Sequence, residues 1–170
     1  LRSPAMSRIS VRSEMPAPAD EVFEVLHDYE HRQEWDPVLR ETRLVDGGRE
    51  AKLGAKRHSR VAYQLGNMEV DEEYVTFHPG ELAALRMLNH PGFLESFGSC
   101  TRHKNTPGGS VAIYSANFHT KPKWLRPVME PLASAWLMFE ARRHLSSLAK
   151  EVHRRQAQPF GALPVMPVLP

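Results

Sequence analysis

Cysteine is nearly absent: Cys100 stands alone in a chain of 170 residues. A single thiol rules out an intrachain disulfide, so the fold must hold without covalent staples, and a reducing, cytoplasmic setting is expected. Long apolar runs are missing as well. No stretch reaches the roughly 18 consecutive apolar residues that a bilayer-crossing helix requires, so no integral membrane span is expected. Residues 1–7 lack the apolar centre of a signal peptide, and Met6 is the expected natural start. Charge of one sign is also scarce. Lys and Arg total 22 against 20 Asp and Glu, and the net charge of +2 is too small for the electrostatic footprint of a nucleic-acid binder. The one basic cluster, Arg142, Arg143, Lys150, Arg154 and Arg155, reads as a solvated helix face. Phosphate loops, dinucleotide fingerprints and nucleophile elbows are absent.

What the chain does have is a regular supply of turns. They are Asp46-Gly47-Gly48, Gly66-Asn67, His78-Pro79-Gly80, His90-Pro91-Gly92 and Thr106-Pro107-Gly108-Gly109. Glycine tolerates positive φ and proline presets φ, so these groups mark reversals. They leave no room for crossover helices between them, which favours an antiparallel meander over a βαβ repeat. Residues 7–15 alternate, with Ile9, Val11 and Met15 on one face. Residues 57–65 alternate too, with Val61, Tyr63 and Leu65 opposite His58, Arg60 and Gln64. Strands over 68–77, 82–88, 93–103 and 110–119 mix apolar and polar residues on both faces. Such blurring suits a sheet whose concave side meets a partly polar cavity.

Helices are expected at both ends of this meander. Pro18 followed by Ala19, Asp20 and Glu21 opens the first, because carboxylates are favourable at a helix N-terminus, and it should stop near His27 or Asp28. A short second helix is expected over 29–34, ahead of Pro37. The last should begin near Pro127 or Pro131 and run to about Arg155, with Ala133, Leu137, Ala141, Leu145, Leu148 and Val152 repeating every three or four positions. Its first half, 132–139, is apolar nearly all round, so it is expected to lie deepest inside the sheet. Residues 1–6 read as an extension, 7–155 as one domain, and 156–170, with four prolines, as an extended or disordered tail. The predicted order is β-α-α, six further strands, and a closing helix.

The chain resembles the START-like, or SRPBCC, superfamily, which includes polyketide cyclases, lipid-transfer domains and pollen-allergen-like proteins. The residues that carry the resemblance are Ile9-Ser10-Val11, then Met15-Pro16-Ala17-Pro18-Ala19-Asp20-Glu21-Val22-Phe23, Tyr29, and Trp35-Asp36-Pro37-Val38. It spans roughly residues 7–155. It implies an α+β helix-grip fold: a seven-stranded curved antiparallel sheet wrapped round a long C-terminal helix, with a cavity between them. The superfamily holds binders, carriers and enzymes, so the resemblance speaks to fold more than to function.

Within that arrangement, Trp35 reads first as a packing residue at the helix-to-strand corner and second as ligand wall, and the two roles can coexist. Met129, Leu132, Trp136 and Phe139 on the last helix are expected to contact the cavity, and Tyr63, Met87, Phe93, Phe97, Ile113 and Tyr114 on the sheet are further wall candidates. Strand register can slip by one residue and reverse each of these. Arg57, Glu72, Arg86, Glu95 and His103, with His119, face either solvent or the cavity. A charge facing an apolar cavity must be paired, so an inward one would anchor a polar head or move protons. No residue is assigned a catalytic role. His27 and His31, with Glu30 and Glu34 nearby, lack a third ligand fixed by sequence; they read as surface histidines, and neither a metal nor a cofactor is expected.

Three functions follow as expectations. The first is binding or transport of a small hydrophobic ligand, such as a lipid, quinone, polyketide or isoprenoid. The alternative is an aromatase/cyclase or dehydratase, which requires two or more titratable groups converging in the cavity. The last is a protein-interaction module, with the segment 164–170 docking as an extended strap. A homodimer is compatible with each.

Overall fold

The computed structural model describes residues 6–45, 47–61 and 68–158. The Gly66-Asn67 turn, Tyr63 and the segment 159–170 lie outside the described residues. Strand β1 (Ser7–Met15) leads through helices α1 (Ala19–His27) and α2 (Arg32–Trp35) to a meander of β2 (Leu39–Leu44), β3 (Lys56–Val61), β4 (Glu69–His78), β5 (Leu82–Met87), β6 (Leu94–Thr106) and β7 (Gly109–Thr120). A 3-10 turn (Lys123–Leu125) then opens α3 (Arg126–Ala157). The order in the seven-stranded sheet is β1-β7-β6-β5-β4-β3-β2, and every neighbouring pair is antiparallel. The helix-grip architecture is therefore present.

The alternation in β1 does what its pattern requires: Ile9, Val11 and Met15 are buried, while Ser10 and Arg12 face out. At the far end of the sheet, the β6–β7 turn closes directly over the end of β1. A Cβ on Gly109 (φ +152°) would stand 2.3 Å from the Met15 carbonyl oxygen, a contact no side chain tolerates. Pro18 offers helix α1 no side-chain cap, but the Ala19 N–H donates to Asn105 Oδ1 at 2.8 Å, and Asp20 and Glu21 occupy the first turn, where the helix dipole favours them. Its apolar stripe, Val22, Phe23, Val25 and Leu26, is buried.

Helix α3 corrects one expectation. The stretch 132–139 is not the deepest part of the grip: Leu132 is 67% and Phe139 57% exposed. The enclosed part lies further on, at Glu140, Ala141, His144, Leu145, Leu148, Glu151 and Val152. There Leu145, Leu148 and Val152 pack with Val11, Met15, Val22, Leu26 and Ala112 in one core cluster. The sheet covers one side of the helix and α1 covers a second side only along the C-terminal half. The N-terminal half, apolar nearly all round over 132–139, is covered on one side and bare on the other. The helix also starts slightly earlier than predicted, at Arg126, and takes Pro131 into its second turn.

Candidate functional site

A cavity of about 160 Å³ lies between the sheet and α3. Its apolar wall comes from β3–β7 and α3 and includes Val61, Val70, Leu85, Leu94, Phe97, Trp136 and Leu137. A register shift between Leu94 and Ser96 explains why Leu94 and Phe97, an odd number of residues apart, both reach this side: one extra residue in a strand reverses its alternation.

The rest of the lining is a polar arc. On the sheet, the Arg57 guanidinium pairs with Glu72 across β3 and β4, Nε to Oε2 at 3.0 Å. Glu72 is buried and Arg57 nearly so. Burial alone would lower the Arg57 pKa, but the Glu72 carboxylate beside it holds the pKa well above its usual value. The Tyr74 hydroxyl, on the same face of β4, is hydrogen-bonded to the Tyr29 hydroxyl, and burial raises its pKa well above the ordinary phenol range. Burial likewise pushes the Tyr114 hydroxyl up to about 12, so both phenols stay protonated and can donate.

The second part of the arc joins α2 to α3. Arg32 donates from Nε to Asp36 Oδ2 at 3.2 Å and from Nη1 to the Leu26 carbonyl at 2.6 Å. Asp36 Oδ2 also meets His144 Nδ1 at 3.0 Å, and Asp36 Oδ1 accepts from the Val38 backbone N–H at 3.1 Å. Burial favours the neutral acid, but His144 and Arg32 together hold the Asp36 carboxyl well below the usual carboxylate range. The His144 ring is stacked on Trp35, centroids 5.8 Å apart. With Nδ1 committed to Asp36, the imidazole keeps Nε2 for a ligand. His27, at the end of α1, also lines the cavity. Its Nδ1–H donates to the Phe23 carbonyl at 2.8 Å, and burial drops its pKa to about 3, so it is neutral.

The residues singled out from sequence divide as follows. Phe97, Tyr114, Trp136, Arg57 and Glu72 line the cavity. Trp35 stands behind His144, and Phe93 packs edge-on against Trp136 at 6.2 Å. Met87 is buried in the adjoining cluster with Val70 and Leu94. Ile113 pairs with Arg12 and Arg102 on the outer parity of β7, one residue out of step with Tyr114. Met129 is half-buried and outside the lining, whereas Leu132 and Phe139 face outward. Arg86 lies on the outer face, paired with Glu73 at 3.0 Å, and Glu95 is spent on Arg126. His103 is 4% exposed but packs behind α1 against Phe23, centroids 5.6 Å apart. His119 bonds Glu130 at 3.2 Å. Of the two histidines read as surface residues, His31 is exposed beside Asp28, and His27 is turned inward. Among the described residues no three metal-ligating side chains cluster.

Sequence reasoning missed Arg32, Asp36, Tyr74 and His144. A signal existed for His144: it falls on the Leu137–Ala141–Leu145–Leu148 stripe, where a solvated histidine would not belong. Asp36 stood within the Trp-Asp-Pro series without being read as a partner for anything on α3.

A helix gripped by a curved sheet, with a mostly apolar cavity and an internal polar arc, defines the class of helix-grip cavity proteins. The chain belongs to the polyketide cyclase / dehydrase and lipid transport family, whose model matches residues 6–153. No curated protein matches it in sequence. Among solved structures it resembles the Zhui aromatase/cyclase from Streptomyces sp. R1128, with 17% identity, a TM-score of 0.75, and coverage of 92% of this chain and 98% of that one. It also resembles Ara h 8.0201, at 15% identity and a TM-score of 0.68, covering 88% and 99%. A third is norcoclaurine synthase from Thalictrum flavum in complex with dopamine and hydroxybenzaldehyde, at 17% identity and a TM-score of 0.66, covering 90% of each. Identities this low speak for the shared fold alone. No described helix is long and apolar enough to cross a membrane.

Proposed function

We propose that this protein binds a compact, uncharged, largely apolar molecule carrying one or two oxygen functions. The observation that carries the reading is the charge balance inside the cavity. Arg57 is paired with Glu72, and Arg32 and His144 share Asp36. A carboxylate head of a fatty acid would have to displace an existing carboxylate partner, and stripping one member from a buried pair costs about 3–5 kcal/mol. A ketone, phenol or alcohol needs only a hydrogen bond, which Tyr74, Tyr114 or His144 supplies. The volume supports a ligand of one or two rings: a dry cavity of about 150 Å³ holds benzene. Burying such a ligand contributes about 25 cal/mol per Å² of apolar surface. The fold accommodates ring compounds elsewhere, as in the norcoclaurine synthase complex with dopamine and hydroxybenzaldehyde. Among the ligand classes expected from sequence, a quinone or cyclised polyketide suits this cavity better than a long acyl lipid.

The test is displacement of a fluorescent apolar probe from the purified protein. Neutral one- or two-ring ketones and phenols should compete, and long-chain fatty acids should compete at least tenfold less well. Equal competition by fatty acids would sink the reading, as would absence of any probe binding in a correctly folded sample.

One observation favours a second reading, acid–base catalysis on the same ligand. Asp36 orients His144, and a carboxylate-held imidazole is suited to removing or returning a proton next to a carbonyl. The discriminating measurement is hydrogen–deuterium exchange at the α-carbon of a bound ketone. A catalyst accelerates that exchange and His144→Gln abolishes it without loss of binding; a carrier leaves the exchange at its solution rate.

A further inference from the structure

The bare side of α3 forms a single continuous stripe. Val128, Leu132, Ala135 and Phe139 are spaced by four, three and four residues, so they share one helix face. Val128 is 60%, Leu132 67% and Phe139 57% exposed, and Trp124 in the preceding turn is 79% exposed. Pro127 and Pro131 are exposed beside them. Exposed large apolar groups in a row, rather than scattered singly, mark a surface that meets something apolar. At 1.5 Å per residue, the α3 part of the stripe is about 16 Å long. It interleaves along the helix with Trp136, Leu137 and Glu140, which line the cavity.

Charge identifies what that surface meets. Lys121 and Lys123 stand at one end of the stripe and Arg142 and Arg143 at the other, while Arg126 is turned inward at 13% exposure. The carboxylates near them are Glu95, Glu130 and Glu140, fewer than the cations. Glu95 sits on Arg126 with Lys123 at 4.0 Å, Glu130 on His119 and Arg126, and Glu140 on Arg143 at 3.2 Å. Side chains of Glu130 and Glu140 are turned inward, at 15% and 7% exposure. No carboxylate of α3 is exposed between 126 and 143. A second copy of the chain is poorly matched to such a face: a two-fold pairing of antiparallel stripes centred midway between Leu132 and Ala135 sets Lys123 of one copy near Arg142 and Arg143 of the other. A folded protein partner also demands hydrogen bonds at a rate of about one per 100–200 Å² of interface, and the stripe offers no exposed polar side chain between Val128 and Phe139. An anionic bilayer surface demands none and rewards cations at the rim.

We propose that the N-terminal half of α3, with Trp124, lies on the surface of anionic lipid, its apolar face in the headgroup region and its flanking cations against lipid phosphates. Partition into the bilayer surface is separate from occupancy of the cavity and does not rest on the ligand reading above. The test is co-sedimentation of the full chain with phosphatidylcholine vesicles, with and without roughly one-third phosphatidylglycerol. Binding is expected only with phosphatidylglycerol. It should fall steeply at high salt, since each cation at an anionic surface is worth about fivefold. It should drop at least tenfold in Leu132→Glu/Phe139→Glu, a variant altered only at exposed positions, with its thermal midpoint and probe binding retained. Trp124 fluorescence should shift to the blue on binding, read as the difference from Trp124→Phe. No binding to the anionic vesicles overturns the proposal, as does binding that the double variant leaves intact. A concentration-dependent dimer that the double variant abolishes would also overturn it and assign the face to a second copy.

Discussion

His103 is 4% exposed, and neither of its ring nitrogens has a hydrogen-bond partner among the described residues. Burial lowers its pKa to about 4, against about 6.5 in an unfolded chain. Between those two values the unfolded chain takes up a proton that the folded chain refuses, so stability is complete above about pH 6.5 and declines as pH falls towards 4. His27, whose pKa burial lowers to about 3, adds a loss of the same sign that continues lower. Urea midpoints measured from pH 7 to pH 4 should therefore fall, and His103→Leu should flatten that fall by an amount on the order of 3 kcal/mol. An unchanged acid limb in the variant would show that His103 is not a source of it. The Arg57–Glu72 pair makes a second prediction at this scale. Arg57→Met strands a buried carboxylate and should cost about 3–5 kcal/mol, while adding Glu72→Leu should recover most of the loss; urea denaturation of both variants checks this.

Helix α3 illustrates how far periodicity reaches. The stripe Ala133, Ala141, Leu145, Leu148, Val152 was legible, and those residues are buried. Their coverage was not legible between 132 and 139, because an all-apolar stretch carries no period and hence no statement about which side is covered. Leu148→Ala should cost about 2–5 kcal/mol by leaving a cavity, whereas Leu132→Ala at an exposed site should change stability by less than about 0.5 kcal/mol. Comparable losses at both would mean that Leu132 is covered in solution. At the β6–β7 turn, the glycine pair was readable as a reversal, but not the approach of Gly109 to the end of β1. Gly109→Ala drives a Cβ to 2.3 Å from the Met15 carbonyl, so the thermal midpoint should fall by several degrees, while Gly108→Ala, with open space around its Cβ position, should be mild.

For the whole molecule, an occupied cavity should be visible as linkage. A ligand present at a hundredfold excess over its dissociation constant adds about 2.7 kcal/mol to stability, so compact neutral ring compounds should raise the thermal midpoint and fatty acids should not. The strand and helix order could be read in advance because turn chemistry and alternation are local properties of adjacent residues. The seven-stranded antiparallel sheet and the closing helix follow from them and from the N-terminal resemblance.

Sequence alone determined the elements, the buried faces of β1 and α1, and the absence of an intrachain disulfide. It also placed Arg57 and Glu72 among the residues to watch. Only the tertiary structure decided that these two pair inside, that Arg86 and Glu95 are used on the outer surface, and that His144 meets Asp36 across 108 positions of chain. Facing depends on strand register and on a bulge such as that between Leu94 and Ser96, where one extra residue inverts every side chain beyond it. Pairing depends on where α2 and α3 cross in space, which no spacing between Asp36 and His144 records.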